Sequence, residues 1–193
     1  MKAICVFTGS NRGTRTEYAA AARELGQALV RRKIGLVFGG GRVGLMGVLA
    51  DEVLAGGGSV IGVIPESLFA KEVAHTSLTE LRVVKSMHER KALMADLSDG
   101  FMALPGGFGT LDELFEALTW AQLGYHAKPC GILNVHGYFD RLLAYIEHAV
   151  GEGFVKPEHA SMISVSTSAA GLLDLFAAYK APVVEKWITR AGT

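Results

Sequence analysis

The stretch PGGFGTLDE occupies residues 105–113 and directly follows the apolar run GFMAL at residues 100–104. The apolar run predicts a buried strand, and three glycines allow the backbone after it to turn tightly and approach a ligand closely. Helical periodicity then begins, and the free amides of a helix N-terminus favour a phosphate or another anion. A strand, a glycine loop and a helix in this order are typical of nucleotide sites in open α/β proteins.

The same alternation of short apolar runs and helical periods extends along the whole chain. Seven strands are predicted, at Ala3–Thr8, Gly35–Phe38, Ser59–Ile64, Leu81–Lys85, Gly100–Leu104, Cys130–Asn134 and Met162–Val165. Six helices are predicted between them, at Thr16–Arg32, Leu45–Ala55, Met87–Leu97, Thr110–Leu123, Phe139–Val150 and Ala169–Tyr179. Continuous apolar strands alternating with helices favour a mostly parallel sheet that is covered on both faces. We therefore expect an α/β, Rossmann-like, doubly wound fold in one domain, residues 1–193, with residues 186–193 as a frayed tail.

The composition of the chain limits which kinds of ligand or partner it is expected to bind. The 193 residues carry 19 basic and 19 acidic side chains, so the formal charge is zero. The sequence has no basic stripe of the kind that predicts nucleic-acid binding. It also has no long apolar run or leader that would predict a membrane or secreted protein. The two cysteines, Cys5 and Cys130, lie in apolar strands without metal-ligand spacing, which predicts buried thiols. We expect a cytoplasmic protein that binds a small molecule and needs no metal.

Two more loops follow predicted strands. Residues 8–13 follow the first strand, and the glycine-rich residues 39–47 follow the second. Because the carboxyl ends of parallel strands lie along one edge of a sheet, the three loops are expected to form a pocket for a phosphorylated ligand. Residues 39–44 also match the dinucleotide pattern G-x-G-x-x-G, with Glu66 some twenty residues on. That pattern normally follows the first strand, so NAD or FAD binding is the weaker alternative.

Thr110 and Glu113 have two explanations. In one, Thr110 caps the predicted helix and Glu113 completes a capping box, which would stabilise the helix by about 1 kcal/mol without any ligand. In the other, Glu113 faces the pocket and takes part in chemistry. On the predicted helix Leu111, Leu114, Phe115 and Leu118 form the apolar side, and Glu113 and Glu116 lie off it.

Arg90 falls in the middle of an apolar stripe on the preceding helix, formed by Met87, Leu93, Met94 and Leu97. A charge on a buried face has to be paired or lead into a polar cavity, because burying it alone is costly. One explanation is an arginine that only extends its charged end to solvent or to a structural partner. The other is an arginine directed into the pocket, where it could bind a carboxylate or a phosphate.

Together, the stretches MHERK at residues 87–91 and PGGFGTLDE at residues 105–113 resemble the LOG (Lonely Guy) family of cytokinin riboside 5′-monophosphate phosphoribohydrolases. The family signature is P-G-G-x-G-T-x-x-E, preceded by a helix with an Arg-Lys pair. Residues 6–10, 39–47 and 62–65 are similar to family features as well, so the likeness covers about residues 3–180. Many relatives carry cysteine where this chain has Thr8.

The resemblance implies hydrolysis of the N-glycosidic bond of an N6-substituted adenosine 5′-monophosphate, or of AMP, to free base and ribose 5-phosphate. Arg90 and Glu113 would be catalytic. The implied phosphate and ribose ligands are Ser10, Gly40, Gly41, Gly44, Gly106, Gly107, Gly109 and Thr110. Weaker candidates to bind the base or ribose are Met87, Lys91 and Glu116. The resemblance also implies a homodimer without cofactor or metal.

Three other functions compete with this one. A non-catalytic nucleotide-binding module of the same fold would use the glycine loops without cleaving the ligand. A dinucleotide oxidoreductase would bind a nicotinamide cofactor. Members of the family have also been labelled lysine decarboxylases, but a pyridoxal enzyme needs a Schiff-base lysine, and no lysine here lies in such a context.

Overall fold

The structure, a computed structural model, describes residues 1–69 and 74–182. The strands are β1 Ala3–Phe7, β2 Gly35–Phe38, β3 Val60–Pro65, β4 Glu80–Val84, β5 Phe101–Ala103, β6 Cys130–Leu133 and β7 Ile163–Ser166. The helices are α1 Thr16–Arg31, α2 Gly44–Ala55, α3 Glu66–Phe69, α4 Met87–Asp96, α5 Phe108–Gln122, α6 Asp140–Gly151, α7 Pro157–Ala160 and α8 Ala169–Ala178. A 3₁₀ turn, Val135–Gly137, precedes α6.

All seven predicted strands and all six predicted helices are present, with ends that differ by at most two residues. The short helices α3 and α7 were not predicted, because four residues are too few to show a helical period. The predicted tail, residues 186–193, lies outside the described residues.

The strands form one fully parallel sheet in the order β4-β3-β2-β1-β5-β6-β7. The chain moves outward from β1 to β4, returns to β5 beside β1, and continues outward on the other side. This reversal places the topological switch point between β1 and β5, where open α/β folds bind their ligands. Phe7 and Ala103, the last residues of β1 and β5, are partners in register. The predicted doubly wound α/β fold is confirmed.

Both faces of the sheet are covered. Ile4 and Val6 of β1 belong to one buried cluster with residues of α1, α2 and α8. The alternate residues Cys5 and Phe7 belong to a second cluster with residues of α4 and α5. The inner strands are therefore buried on both sides, which explains their continuous apolar runs, whereas the edge strands β4 and β7 are partly exposed.

The two cysteines are buried, as predicted. Cys5 and Cys130 are both register partners of Phe101, on the strands to either side of it. Two strand spacings separate them by roughly 9–10 Å, which is too far for a disulfide. Burial raises the pKa of the Cys130 thiol to about 12, so it stays protonated. Both thiols are part of the buried core.

Candidate active site

Three loops meet at the switch point, as predicted. The Gly9 amide donates to the Pro105 carbonyl at 3.1 Å, which joins the loop after β1 to the loop after β5. The Leu45 amide donates to the Gly9 carbonyl at 3.0 Å, which joins the loop after β2 to the loop after β1. The Thr8 hydroxyl also donates to the Pro105 carbonyl, at 3.2 Å. The hydrogen bonds hold the loops together as one surface.

Two glycines are required where the loops touch. Gly44 has a φ of +62°, and a Cβ there would overlap the backbone of Ser10. A Cβ on Gly106 would overlap the Thr110 hydroxyl and lie 2.8 Å from the Gly9 nitrogen. Packing inside the protein therefore explains both residues.

Gly107 and Gly109 have no such explanation. A Cβ built on either of them meets nothing within 4 Å among the described residues. Gly107 has a φ of −96°, which any residue can adopt, and Gly109 lies inside helix α5. Neither packing nor backbone conformation requires glycine at these positions, so the open space in front of them is consistent with close approach of a ligand.

A cleft of about 250 Å³ opens beside this surface. Of the predicted binding residues, Ser10, Gly106 and Gly107 line it. Gly40 and Gly41 are instead buried behind the loop. The Gly40 carbonyl accepts a 3.0 Å hydrogen bond from the His75 amide, and Gly41 forms an antiparallel bridge with Ala74. Gly40 and Gly41 therefore connect the loop after β2 to residues 74 and 75 and do not line the cleft.

The prediction that Thr110 caps a helix is wrong. Helix α5 begins two residues earlier, at Phe108, and its N-cap is Gly107 in an extended conformation. Thr110 is therefore the third helical residue, and its side chain is buried against Gly106. Among the described residues no side chain caps α5. The capping box is ruled out as the explanation of Glu113, and the N-terminal amides of α5 are left for a ligand.

An arrangement similar to a capping box does occur at the start of α4, where the glutamate bonds the amide before the N-cap residue Ser86. The Glu89 amide donates to the Ser86 hydroxyl at 3.1 Å, and the Glu89 carboxylate accepts from the Lys85 amide at 2.8 Å. This fixes the first turn of α4, which carries Met87 and Arg90. The S-x-x-E pattern at residues 86–89 was overlooked in the sequence.

Arg90 lies where the apolar stripe predicted it. It is 7% exposed, beside Met94 and Ala95 on the buried face of α4. A Cβ on Gly39 would overlap the guanidinium nitrogen Nη2, so the guanidinium lies directly against the end of β2. Nη1 contacts the Met87 sulfur at 3.8 Å, and Nε has no hydrogen-bond partner within the described parts of the chain.

The second charged group of the site is Glu113 on α5. Its side chain is 14% exposed, and Oε1 lies 3.7 Å from Arg90 Nη2. That distance makes an ion pair but exceeds a good hydrogen bond. Glu113 borders the buried face of α5, which is centred on Leu114 and Ala117. Phe115, predicted on that face, is 36% exposed.

Lys91 and Glu116 bind each other. Lys91 Nζ lies 2.8 Å from Asp112 Oδ2 and 3.2 Å from Glu116 Oε2. Burial alone would lower the pKa of Lys91, but its hydrogen bonds to the two carboxylates raise the pKa above the ordinary value. This bridge ties α4 to α5 and so holds Arg90 beside Glu113. Met87, the third weaker candidate, is 41% exposed at the start of α4.

A fourth loop was missed by the sequence analysis. Tyr138, in the connection from β6 to α6, lines the cleft, and its hydroxyl donates to the Gly106 carbonyl at 2.6 Å. Tyr18 and Arg12 also line the cleft. The only signal in the sequence was the position of residues 134–138 directly after a strand, without a glycine-rich motif.

No group of three or more His, Cys, Asp or Glu side chains among the described residues is arranged to hold a metal ion. No helix in the same part of the chain is long and apolar enough to span a membrane.

Comparison with known proteins assigns the family. A sequence profile described as "Possible lysine decarboxylase" matches residues 46–176. The "Probable cytokinin riboside 5'-monophosphate phosphoribohydrolase LOGL9" of Oryza sativa subsp. japonica is 55% identical over 170 residues, which cover 88% of this chain and 75% of that protein. The "Cytokinin riboside 5'-monophosphate phosphoribohydrolase" of Rhodococcoides fascians is 53% identical over 173 residues, which cover 89% of this chain and 87% of that protein.

The fold also matches solved structures. The molybdenum cofactor binding protein from the phototrophic bacterium Rippkaea orientalis superposes with a TM-score of 0.69 at 20% identity, covering 92% of this chain and 97% of that chain. At that identity the likeness concerns the fold alone. The identity to the two phosphoribohydrolases is much higher and extends over most of each protein, and on that basis the chain belongs to the LOG family of cytokinin riboside 5′-monophosphate phosphoribohydrolases.

Proposed function

We propose that this protein hydrolyses the N-glycosidic bond of an N6-substituted adenosine 5′-monophosphate, of AMP, or of both. The products are the free base and ribose 5-phosphate. The observation that carries the proposal is the Arg90–Glu113 ion pair, because Glu113 lies on α5, the helix whose N-terminal Gly107 and Gly109 face open space. The described residues that line the cleft beside Gly107 do not include Arg90 or Glu113. The names of the relatives, which are about half identical to this chain, support the same reaction.

The 5′-phosphate is bound at the N-terminus of α5. The amides of the N-cap Gly107 and of Gly109 and Thr110 in the first turn lie at this N-terminus, where the helix dipole favours an anion and no side chain competes within the described residues. Gly106 and Ser10 line the same cleft. Gly44 seats the second loop against Ser10, so it shapes the pocket through the backbone.

Glu113 and Arg90 act at the ribose. Cleavage of the bond between C1′ and the base leaves positive charge on the ribose ring, and a nearby carboxylate stabilises that charge. Water then supplies the oxygen that bonds to C1′, and its proton balances the charge on the departing base. Glu113 is the carboxylate that stabilises the cation or activates the water. Arg90, whose Nη2 lies 3.7 Å from Glu113 Oε1, orients Glu113 or contacts the substrate.

Replacing Glu113 by Gln tests this assignment. The variant keeps the size of the side chain but loses its charge and replaces one acceptor oxygen by a donating NH2 group. We expect release of base from AMP to fall by at least about a hundredfold while nucleotide binding and the far-UV circular dichroism are retained. Glu147→Gln, on the exposed face of α6, is the control and should keep wild-type turnover. Near-normal turnover of Glu113→Gln would remove Glu113 from the mechanism.

The second candidate function is a nucleotide-binding module without catalysis. It would use the same cleft and predicts tight binding without release of base. The Arg90–Glu113 pair favours the enzyme, because phosphate binding alone does not need a carboxylate that is only 14% exposed. The resemblance also implies a cytoplasmic homodimer, and both properties stay predictions.

A further inference from the structure

Tyr138 connects the fourth loop of the site to the phosphate loop. Its hydroxyl donates to the Gly106 carbonyl at 2.6 Å, and the residue lines the cleft together with Gly106 and Gly107. The ring packs edge-on against Tyr18, with 5.6 Å between ring centroids. The hydroxyl and the ring therefore have separate contacts, which a substitution can separate.

The loop that carries Tyr138 is held firmly. Buried Asn134 donates through Nδ2 to Asp140 Oδ1 at 2.7 Å and accepts from the Phe139 amide at 2.9 Å. Between them His136 and Gly137 adopt left-handed conformations, with φ of 50° and 69°. The two hydrogen bonds of Asn134 close the turn around Tyr138, so the fold sets the position of the Tyr138 hydroxyl.

The bonded carbonyl belongs to the peptide between two glycines. Without Cβ atoms on either side, the backbone torsions that flank the Gly106–Gly107 peptide are less restricted than those between two residues with side chains. In a trans peptide the carbonyl and the next amide point in opposite directions. Rotation by half a turn would replace the Gly107 N–H by the Gly106 carbonyl oxygen, which repels an anion. The Tyr138 hydroxyl bonds the Gly106 carbonyl in the orientation present in the structure.

We propose that Tyr138 is a positioning residue that holds the Gly106–Gly107 peptide in the orientation that receives the 5′-phosphate. It thereby favours 5′-monophosphates over ligands without phosphate. The inference rests on the proposed function for the identity of the ligand, but the hydrogen bond and the two-glycine peptide are independent of the reaction.

Tyr138→Phe isolates the hydroxyl, because phenylalanine keeps the ring and its contact with Tyr18. We expect the Kd for ribose 5-phosphate, measured by titration calorimetry, to rise by about tenfold. The KM for AMP should rise by a similar factor while kcat changes by less than about twofold. Binding of adenosine, which lacks the phosphate, should be unchanged. Tyr145→Phe, on the exposed face of α6, is the matched control and should behave as wild type.

A purely structural tyrosine would give a different result. Loss of thermal stability with equal weakening of ribose 5-phosphate and adenosine would overturn the proposal, as would wild-type affinity for ribose 5-phosphate in Tyr138→Phe. The titration does not depend on catalysis. If wild-type protein releases no base but Tyr138→Phe still loses affinity for ribose 5-phosphate, the proposed reaction fails and the role of Tyr138 stands.

Discussion

Arg90 can lie against the end of β2 because residue 39 has no side chain. The guanidinium occupies the space that a Cβ on Gly39 would need, which places Nη2 3.7 Å from Glu113. Gly39 does not have a positive φ, so its backbone would accept alanine. Its role is therefore to leave room for the arginine.

Gly39→Ala is predicted to move Arg90 without unfolding the protein, because the overlap involves only the flexible end of a side chain. Misplacing a group at the reacting centre by an ångström is costly, so kcat/KM for AMP should fall by about tenfold to a hundredfold. Gly35→Ala, at the start of β2, is the control, since the nearest neighbour of the added Cβ would lie at 3.6 Å, an ordinary contact. Wild-type activity of Gly39→Ala would show that the position of Arg90 is unimportant.

Residues of the site differ in how far the sequence could predict them. Arg90 was predictable because a charge inside an apolar helical stripe is visible from periodicity alone. Tyr138 was not, because its partner is a backbone carbonyl 32 residues away and no motif marks the contact. The ion pair between Lys91 and Glu116 could not be predicted from the sequence either, because it depends on how α4 and α5 pack together.

At the scale of the element, the start of α5 decides what its N-terminus can bind. The capping-box pattern predicted a start at Thr110, but the extended Gly107 allows the helix to begin at Phe108. The first turn thus includes Gly109, a poor helix former, in place of a capping side chain. A sequence pattern could not reveal this choice, because Thr110 is buried against Gly106 by tertiary packing.

Gly109→Ala tests whether the open first turn serves a ligand. Alanine inside a helix should stabilise the free protein by about 0.5–1 kcal/mol, measured by urea unfolding. Its methyl group would enter the phosphate site, so the KM for AMP should rise by about tenfold, equivalent to about 1.4 kcal/mol.

Gly151→Ala is the matched control, since Gly151 also lies in a helix with nothing within 4 Å among the described residues. It should alter stability but leave the KM unchanged. An unchanged KM in Gly109→Ala would mean that the phosphate does not approach this turn.

At the scale of the whole molecule, the strand order brings the site together. Alternating apolar strands and helices were enough to predict a doubly wound parallel sheet. The order β4-β3-β2-β1-β5-β6-β7 depends on long-range pairing, which periodicity does not encode. That order places the loops after β1 and β5 side by side and brings the loop after β6 next to them. The site is therefore formed by four loops, where three were predicted.

Cleavage of nucleoside 5′-monophosphates is the reaction proposed for this site. The most direct test incubates the pure protein with AMP and with isopentenyladenosine 5′-monophosphate, and in parallel with the two nucleosides, and detects free base by chromatography. We predict that base and ribose 5-phosphate appear from the monophosphates and that no base appears from the nucleosides. Bound nucleotide without any release of base would contradict the account and identify the protein as a nucleotide-binding module.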